Sequence, residues 1–224
     1  MGILRTGIFG GFRKKTGPII GRRVNGQDII TGHHHKSTKG PTKKQIEIND
    51  KFRLLTTFLN PIAALVNMGF KYVARGKRPL NVAYAYNYDH AFVEEDGHYF
   101  INYPKMVYSR GSVETPFGVQ AVLEPSSSAR SIKFSWSPQG QSAYCQYTDL
   151  GSFLVYNPTK MKAVTALNVI DRYALEYVVL LPPDFEVDTV HCYMNFASAN
   201  GKIMGDSVYV GVIVEMTAAL RPSP

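Results

Sequence analysis

Nowhere does this sequence run for the roughly 20 apolar residues that a helical membrane span needs, so no transmembrane segment is expected. A secretory leader is not expected either. The apolar start breaks at Arg5, and Arg13-Lys14-Lys15 falls where a leader keeps its apolar core. The short acylation pattern Met-Gly-Ile-Leu-Arg-Thr is met, but so brief a pattern does not carry a membrane anchor by itself. Cysteine is scarce: Cys145 and Cys192 stand alone, with neither a disulfide framework nor a metal spacing, and both read as small core residues. Catalytic signatures are missing too. There is no Gly-x-Ser-x-Gly, no His-Glu-x-x-His and no dinucleotide fingerprint. Arg13-Lys14-Lys15-Thr16-Gly17 lacks the Gly-Lys-Ser/Thr ending of a phosphate loop. Three acid–base clusters remain: Asp89-His90, Glu94-Glu95-Asp96 with His98, and Asp188 with His191. The second lacks the alternating ligand spacing of a calcium loop and reads as a solvated turn. His191 alternates with apolar residues and reads as a structural histidine. Neither an enzyme nor a cofactor is expected.

Acid is the other absence, and it is local. The first 44 residues hold ten of the 25 Lys+Arg and a single acid, Asp28, for a net charge of +9. The remainder carries 15 basic and 16 acidic residues, a net −1, so the whole excess of +8 sits in one arm. Nine of the 19 glycines lie there too and interrupt any helix. Between them stand Ile8-Phe9, Ile19-Ile20 and Ile29-Ile30. Asn25-Gly26 suits a tight type I′ turn between Pro18–Arg23 and Asp28–Thr31, which predicts a small hairpin. An isolated hairpin is marginal in water and needs a sheet edge or a partner surface. His33-His34-His35 reads as a polar loop, because adjacent residues do not converge on one ion.

Pro41 ends the arm, and Thr42-Lys43-Lys44-Gln45 reads as a capping box. Phe52, Leu55, Phe58 and Leu59 recur at helical spacing, and Pro61 separates them from a second helix carrying Ile62, Leu65, Val66 and Met68. Residues 81–95 read as a third helix, with strand alternation as the competing pattern. Arg75, Lys77 and Arg78 beside Tyr84, Tyr86 and Tyr88 fit a nucleic-acid strand, but tyrosines half-buried against a sheet explain them more simply. From His98 the pattern becomes short β-rich runs, expected near 99–108, 118–123, 131–136, 142–147, 152–156, 162–165, 173–180, 189–197 and 207–215. The expected organisation is an arm at 1–44, a helical or mixed region at 45–111, a β-sandwich at 112–217 and a tail at 218–224.

Two resemblances follow from these residues. Within 118–215, a lone Trp136 in an early strand, Phe153 to Tyr156 in a middle one, the aromatic Tyr193, the Asn200-Gly201 turn and the last strand Ser207-Val208-Tyr209-Val210 resemble a fibronectin type III or immunoglobulin-like sandwich. The resemblance implies a mainly β fold, an antiparallel β-sandwich preceded by a short helical region and the arm. It implies no activity. Over nearly the full chain, Gly-Ile-Phe-Gly-Gly-Phe at 7–12, Gly-Pro-Ile-Ile-Gly-Arg-Arg at 17–23, Gly-Pro-Thr-Lys-Lys-Gln at 40–45, Lys-Phe at 51–52, Asn-Met-Gly-Phe-Lys at 67–71, Val-Tyr-Ser-Arg-Gly at 107–111, Asp-Thr-Val-His at 188–191 and Ser-Val-Tyr-Val-Gly at 207–211 resemble a family of bacterial proteins known only as a domain of unknown function.

The arm therefore carries the functional expectation. Ile8, Phe9, Ile19, Ile20, Ile29 and Ile30 are the candidate anchors, and Arg13, Lys14, Lys15, Arg22 and Arg23 the candidate charged contacts. A homo-oligomer or larger assembly, such as a filament, shell or virion-like particle, is the leading expectation. Nucleic acid bound through the same cations is the alternative, and a solvated tail the plainest reading. Apolar pairs at intervals argue against the tail, which has no use for them.

Overall fold

A computed structural model describes residues 12–24, 26–33, 39–124, 130–185 and 188–214. The chain forms two units, residues 1–43 and 44–224. In the first, β1 (Lys14–Thr16), β2 (Ile19–Val24) and β3 (Gln27–Gly32) form an antiparallel sheet in the order β1-β2-β3. Val24 pairs with Gln27, so two residues separate the strands, the spacing that the Asn-Gly dipeptide of the sequence favours. Gly26 adopts a φ of 84°, which only glycine takes without cost. The strand β1 was not anticipated: Lys14-Lys15-Thr16 is short and charged, but Gly17-Pro18 turns it back so that Thr16 pairs with Ile19.

The second unit opens with α1 (Lys43–Leu59), α2 (Ala63–Gly69) and α3 (Pro79–His90). Pro61, which has no N–H to donate, sits in the turn between α1 and α2. Pro79 occupies the first turn of α3 behind an extended Arg78, the conformation that a following proline favours. The stretch 81–95 is thus helix first and strand afterwards: β4 (Phe92–Glu95) and β5 (His98–Ile101) form a hairpin around Asp96-Gly97. No strand reaches Tyr108, because Tyr103-Pro104-Lys105 closes a 3-10 turn in the middle of the expected span.

The rest of the unit is β6 (Phe117–Glu124), β7 (Ser131–Ser137), β8 (Leu150–Asn157), β9 (Lys162–Asp171), β10 (Glu176–Leu180), β11 (Val190–Ala197) and β12 (Val208–Ile213). They make two antiparallel sheets, β10-β7-β6 and β12-β11-β8-β9, so the fold is mainly β. The expected strand at 142–147 is instead a pair of tight turns. Ser142 and Cys145 form a single bridge, the Ser142 hydroxyl accepts from the Tyr144 N–H, and the Asp149 carboxylate accepts from the Gln146 N–H. Short polar side chains offered these backbone groups partners other than a neighbouring strand.

Alternation along β8 and β11 builds a core on each face of the larger sheet. Phe153, Val155, Cys192, Met194 and Phe196 pack with Ile132, Phe134, Trp136 and Val179 of the smaller sheet. Leu154, Tyr156 and Tyr193 pack with Leu55, Phe58, Leu59, Leu65, Val66 and Ala83 of the helices. The larger sheet is thus covered on both sides, which is why Gly151–Asn157 of β8 is buried throughout. Tyr193 is buried as expected, but on the helical side rather than between the sheets.

Candidate interaction surface

Strand alternation separates the adjacent isoleucines of the arm. The registers put Lys14, Thr16, Ile19, Gly21, Arg23, Asp28, Ile30 and Gly32 on one face of the arm sheet, and Lys15, Ile20, Arg22, Val24, Gln27, Ile29 and Thr31 on the other. Each face thereby presents two isoleucines between two cations. On the first face Phe12 lies over Gly21, where a Cβ would stand 2.1 Å from the Phe12 carbonyl oxygen and 2.7 Å from its ring. Ile30 is 61% exposed and Ile19 38%, whereas Ile20 and Ile29 are half-buried. Among the described residues of the three strands, only Gly21 is buried. A sheet that splits its apolar residues between two charged faces has no core of its own.

Ile8 and Phe9 lie outside the described residues. The other expected anchors and the five cations are brought together in this sheet or beside it: Lys14 and Lys15 in β1, Arg22 and Arg23 in β2, and Arg13 one residue before β1. Arg23 donates from Nε to the Gly26 carbonyl oxygen at 3.1 Å and so braces the turn. Of the three histidines, His33 is described, its N–H donating to the Pro18 carbonyl oxygen at 2.7 Å.

Asp188 and His191 are each engaged in separate internal contacts. His191 stacks on Tyr103 at 4.0 Å, with Nδ1 3.0 Å from the Tyr209 hydroxyl, and burial pulls its pKa down to about 4. Asp188 accepts from the Asn157 amide and pairs with Lys160, which together hold its carboxyl below the usual range. Burial pushes the Cys192 thiol up to about 12 and also raises Cys145. Both are free, buried thiols, the inert kind. Among the described residues no group of three His, Cys, Asp or Glu is placed to hold a metal, and no helix is long and apolar enough to cross a membrane. Tyr84, Tyr86 and Tyr88 serve internal contacts: Tyr84 stacks on Phe52 at 5.0 Å, Tyr86 on His90 at 4.7 Å, and Tyr88 lies beside the Lys51 ammonium.

Sequence reasoning missed two polar hubs. The Arg172 guanidinium, 3% exposed, pairs with Asp149 at 3.3 Å, donates to Gln139 and to the Glu114 carbonyl oxygen, and lies 4.0 Å over the Phe196 ring. The buried Asn87 donates to the Ala83 and Val107 carbonyl oxygens and accepts from the Val107 N–H. Apart from Ala83, their partners lie 20 or more residues away, so no local signal marks them. The quoted stretches 67–71, 107–111 and 207–211 prove to be neighbours. The Arg110 N–H donates to the Gly69 carbonyl oxygen, and the Ser207 hydroxyl accepts from the Tyr108 N–H. The Tyr108 hydroxyl in turn donates to Asn195. Those three stretches form a packing seam. A comparison with curated proteins found no match. A family model matches residues 11–211, from the arm through to the last strand, and the chain belongs to that family of unknown function, DUF6266.

Proposed function

We propose that this is a non-enzymatic assembly protein, a subunit of a filament, shell or virion-like particle whose arm contacts neighbouring subunits. The observation that carries the reading is the two-faced arm sheet, with an isoleucine pair exposed or half-buried between cations on each face. Exposed apolar groups on a small sheet without a core are stabilised by docking on another surface. The outer edge of β3 is unpaired among the described residues and offers a strand for augmentation. We also infer a sandwich of the fibronectin type III or immunoglobulin-like kind, supported by three strands packed against four across one core.

The cations on both faces support a second reading, nucleic acid held through its phosphates. Sedimentation of two full-length variants separates the readings. Ile19→Asp/Ile30→Asp is expected to dissociate an assembly that Lys14→Gln/Arg23→Gln leaves largely intact. Dissociation or loss of nucleic acid by the second variant alone overturns arm-mediated assembly in favour of phosphate binding.

A further inference from the structure

We propose that the second unit carries a surface for an anionic lipid bilayer, formed by the loop between α2 and α3 and the turn before β12. From Lys71 to Tyr88 the sequence has no acid, while Lys71, Arg75, Lys77 and Arg78 crowd into its first eight residues. In residues 45–224, whose net charge is −1, that concentration is a strong local asymmetry. All four cations are exposed, and none takes part in a described ion pair. Apolar groups stand among them: Tyr72 is 48% exposed and Val73 43%.

The fold holds this loop in place rather than leaving it loose. Ala74 is buried and anchors its middle, its N–H donating to the Phe70 carbonyl oxygen and its own carbonyl accepting from the Lys77 N–H. Arg75 and Gly76, at φ 42° and 82°, turn the chain back after it. The Tyr72 hydroxyl donates to the Gly201 carbonyl oxygen at 3.1 Å, which brings Lys202 and the 40% exposed Ile203 beside the loop. Asp206, the next acid along that turn, is paired with Arg110 at 3.2 Å.

Five cations fit any polyanion, and the aliphatic side chains decide which. Val73 and Ile203 offer a nucleic-acid strand neither a hydrogen bond nor a stacking plane. Lys71 Nζ lies 5.3 Å over the Tyr72 ring, and the ring's hydroxyl is already tied down. At a bilayer the same groups have matching places: aliphatic tips in the headgroup–acyl boundary, a tyrosine at the interface and cations on anionic headgroups.

Full-length protein tests this by flotation with vesicles of three parts phosphatidylcholine to one part phosphatidylglycerol, against phosphatidylcholine alone. Binding to the anionic vesicles only, and lost in high salt, is expected. Neutralising the loop with Arg75→Gln/Lys77→Gln/Arg78→Gln should weaken it about a hundredfold. Lys14→Gln/Lys15→Gln/Arg22→Gln in the arm should weaken it less. Val73→Ser/Ile203→Ser should weaken it about tenfold. A Tyr72→Trp variant should show blue-shifted emission quenched by brominated lipid, against the buried Trp136. All these positions are exposed, so folding is not at stake. An unquenched indole at position 72, or full binding by Val73→Ser/Ile203→Ser, overturns the proposal. So does an oligothymidine strand that binds where vesicles do not, which assigns the patch to nucleic acid.

Discussion

Arg172 and Asp149 close one end of the two-sheet core with charges that are 3% and 4% exposed. Removing one partner from such a pair leaves the other buried and uncompensated, which typically costs about 3–5 kcal/mol. Asp149→Ala is therefore expected to lower the unfolding midpoint in urea by that equivalent, and Asp149→Asn by less, since the amide still accepts from Arg172. His191 sets a pH dependence. Its folded pKa of about 4 lies below the ordinary histidine value of 6.5, so between those values the unfolded chain binds a proton that the native state refuses. Stability is thus unaffected above pH 6.5, falls as pH drops through the window and levels off below about 4. Discounted for partial exposure, the loss amounts to roughly 2 kcal/mol. His191→Gln should flatten that limb of the stability–pH curve, while Asp184 and Asp188, with lowered values, act only below it. A curve left unchanged by His191→Gln would show that His191 does not set that limb.

Among the elements, the close approaches are the most sensitive points. A Cβ at Gly69, the last residue of α2, would stand 2.5 Å from the Tyr108 carbonyl oxygen and 2.7 Å from the Ser109 Cα, both backbone atoms that do not easily give way. Gly69→Ala is expected to cost about 1–3 kcal/mol, whereas Gly140→Ala, facing open space, should cost almost nothing. Denaturant midpoints of the two variants make the comparison. The hairpin β4–β5 depends on Lys51, whose ammonium lies 3.9 Å over the Tyr99 ring and 3.0 Å from Glu47. Lys51→Ala should speed amide exchange in that hairpin before any global loss, because about 1 kcal/mol of local contact goes with it. The sequence marked α1, α2 and most strands of the two larger sheets, where apolar spacing coincides with burial. It misplaced residues 142–147, where serine and aspartate side chains satisfy the backbone. It also gave no sign of the place of Lys51, since nothing local announces that three aromatic rings gather around it.

For the whole molecule, what the sequence made legible was the contrast between a cationic arm and a near-neutral body. It did not reveal that the helices cover the second face of the larger sheet. That depends on Leu154, Tyr156 and Tyr193 pointing away from the inter-sheet core, a consequence of register that the pattern alone does not fix. Nor did the adjacent isoleucines disclose their separation onto opposite faces, which followed only once β1, β2 and β3 were paired. On the proposed function, this two-faced sheet is covered by a neighbouring subunit. Light scattering after size exclusion tests it most directly, on the full chain and on a chain lacking residues 1–43, each at low and high salt with the 260/280 nm ratio recorded. Particles several subunits in size that resist salt and fall to monomer when the arm is removed are expected. A full chain that is monomeric in both salts, or particles that survive loss of the arm, would contradict the proposal.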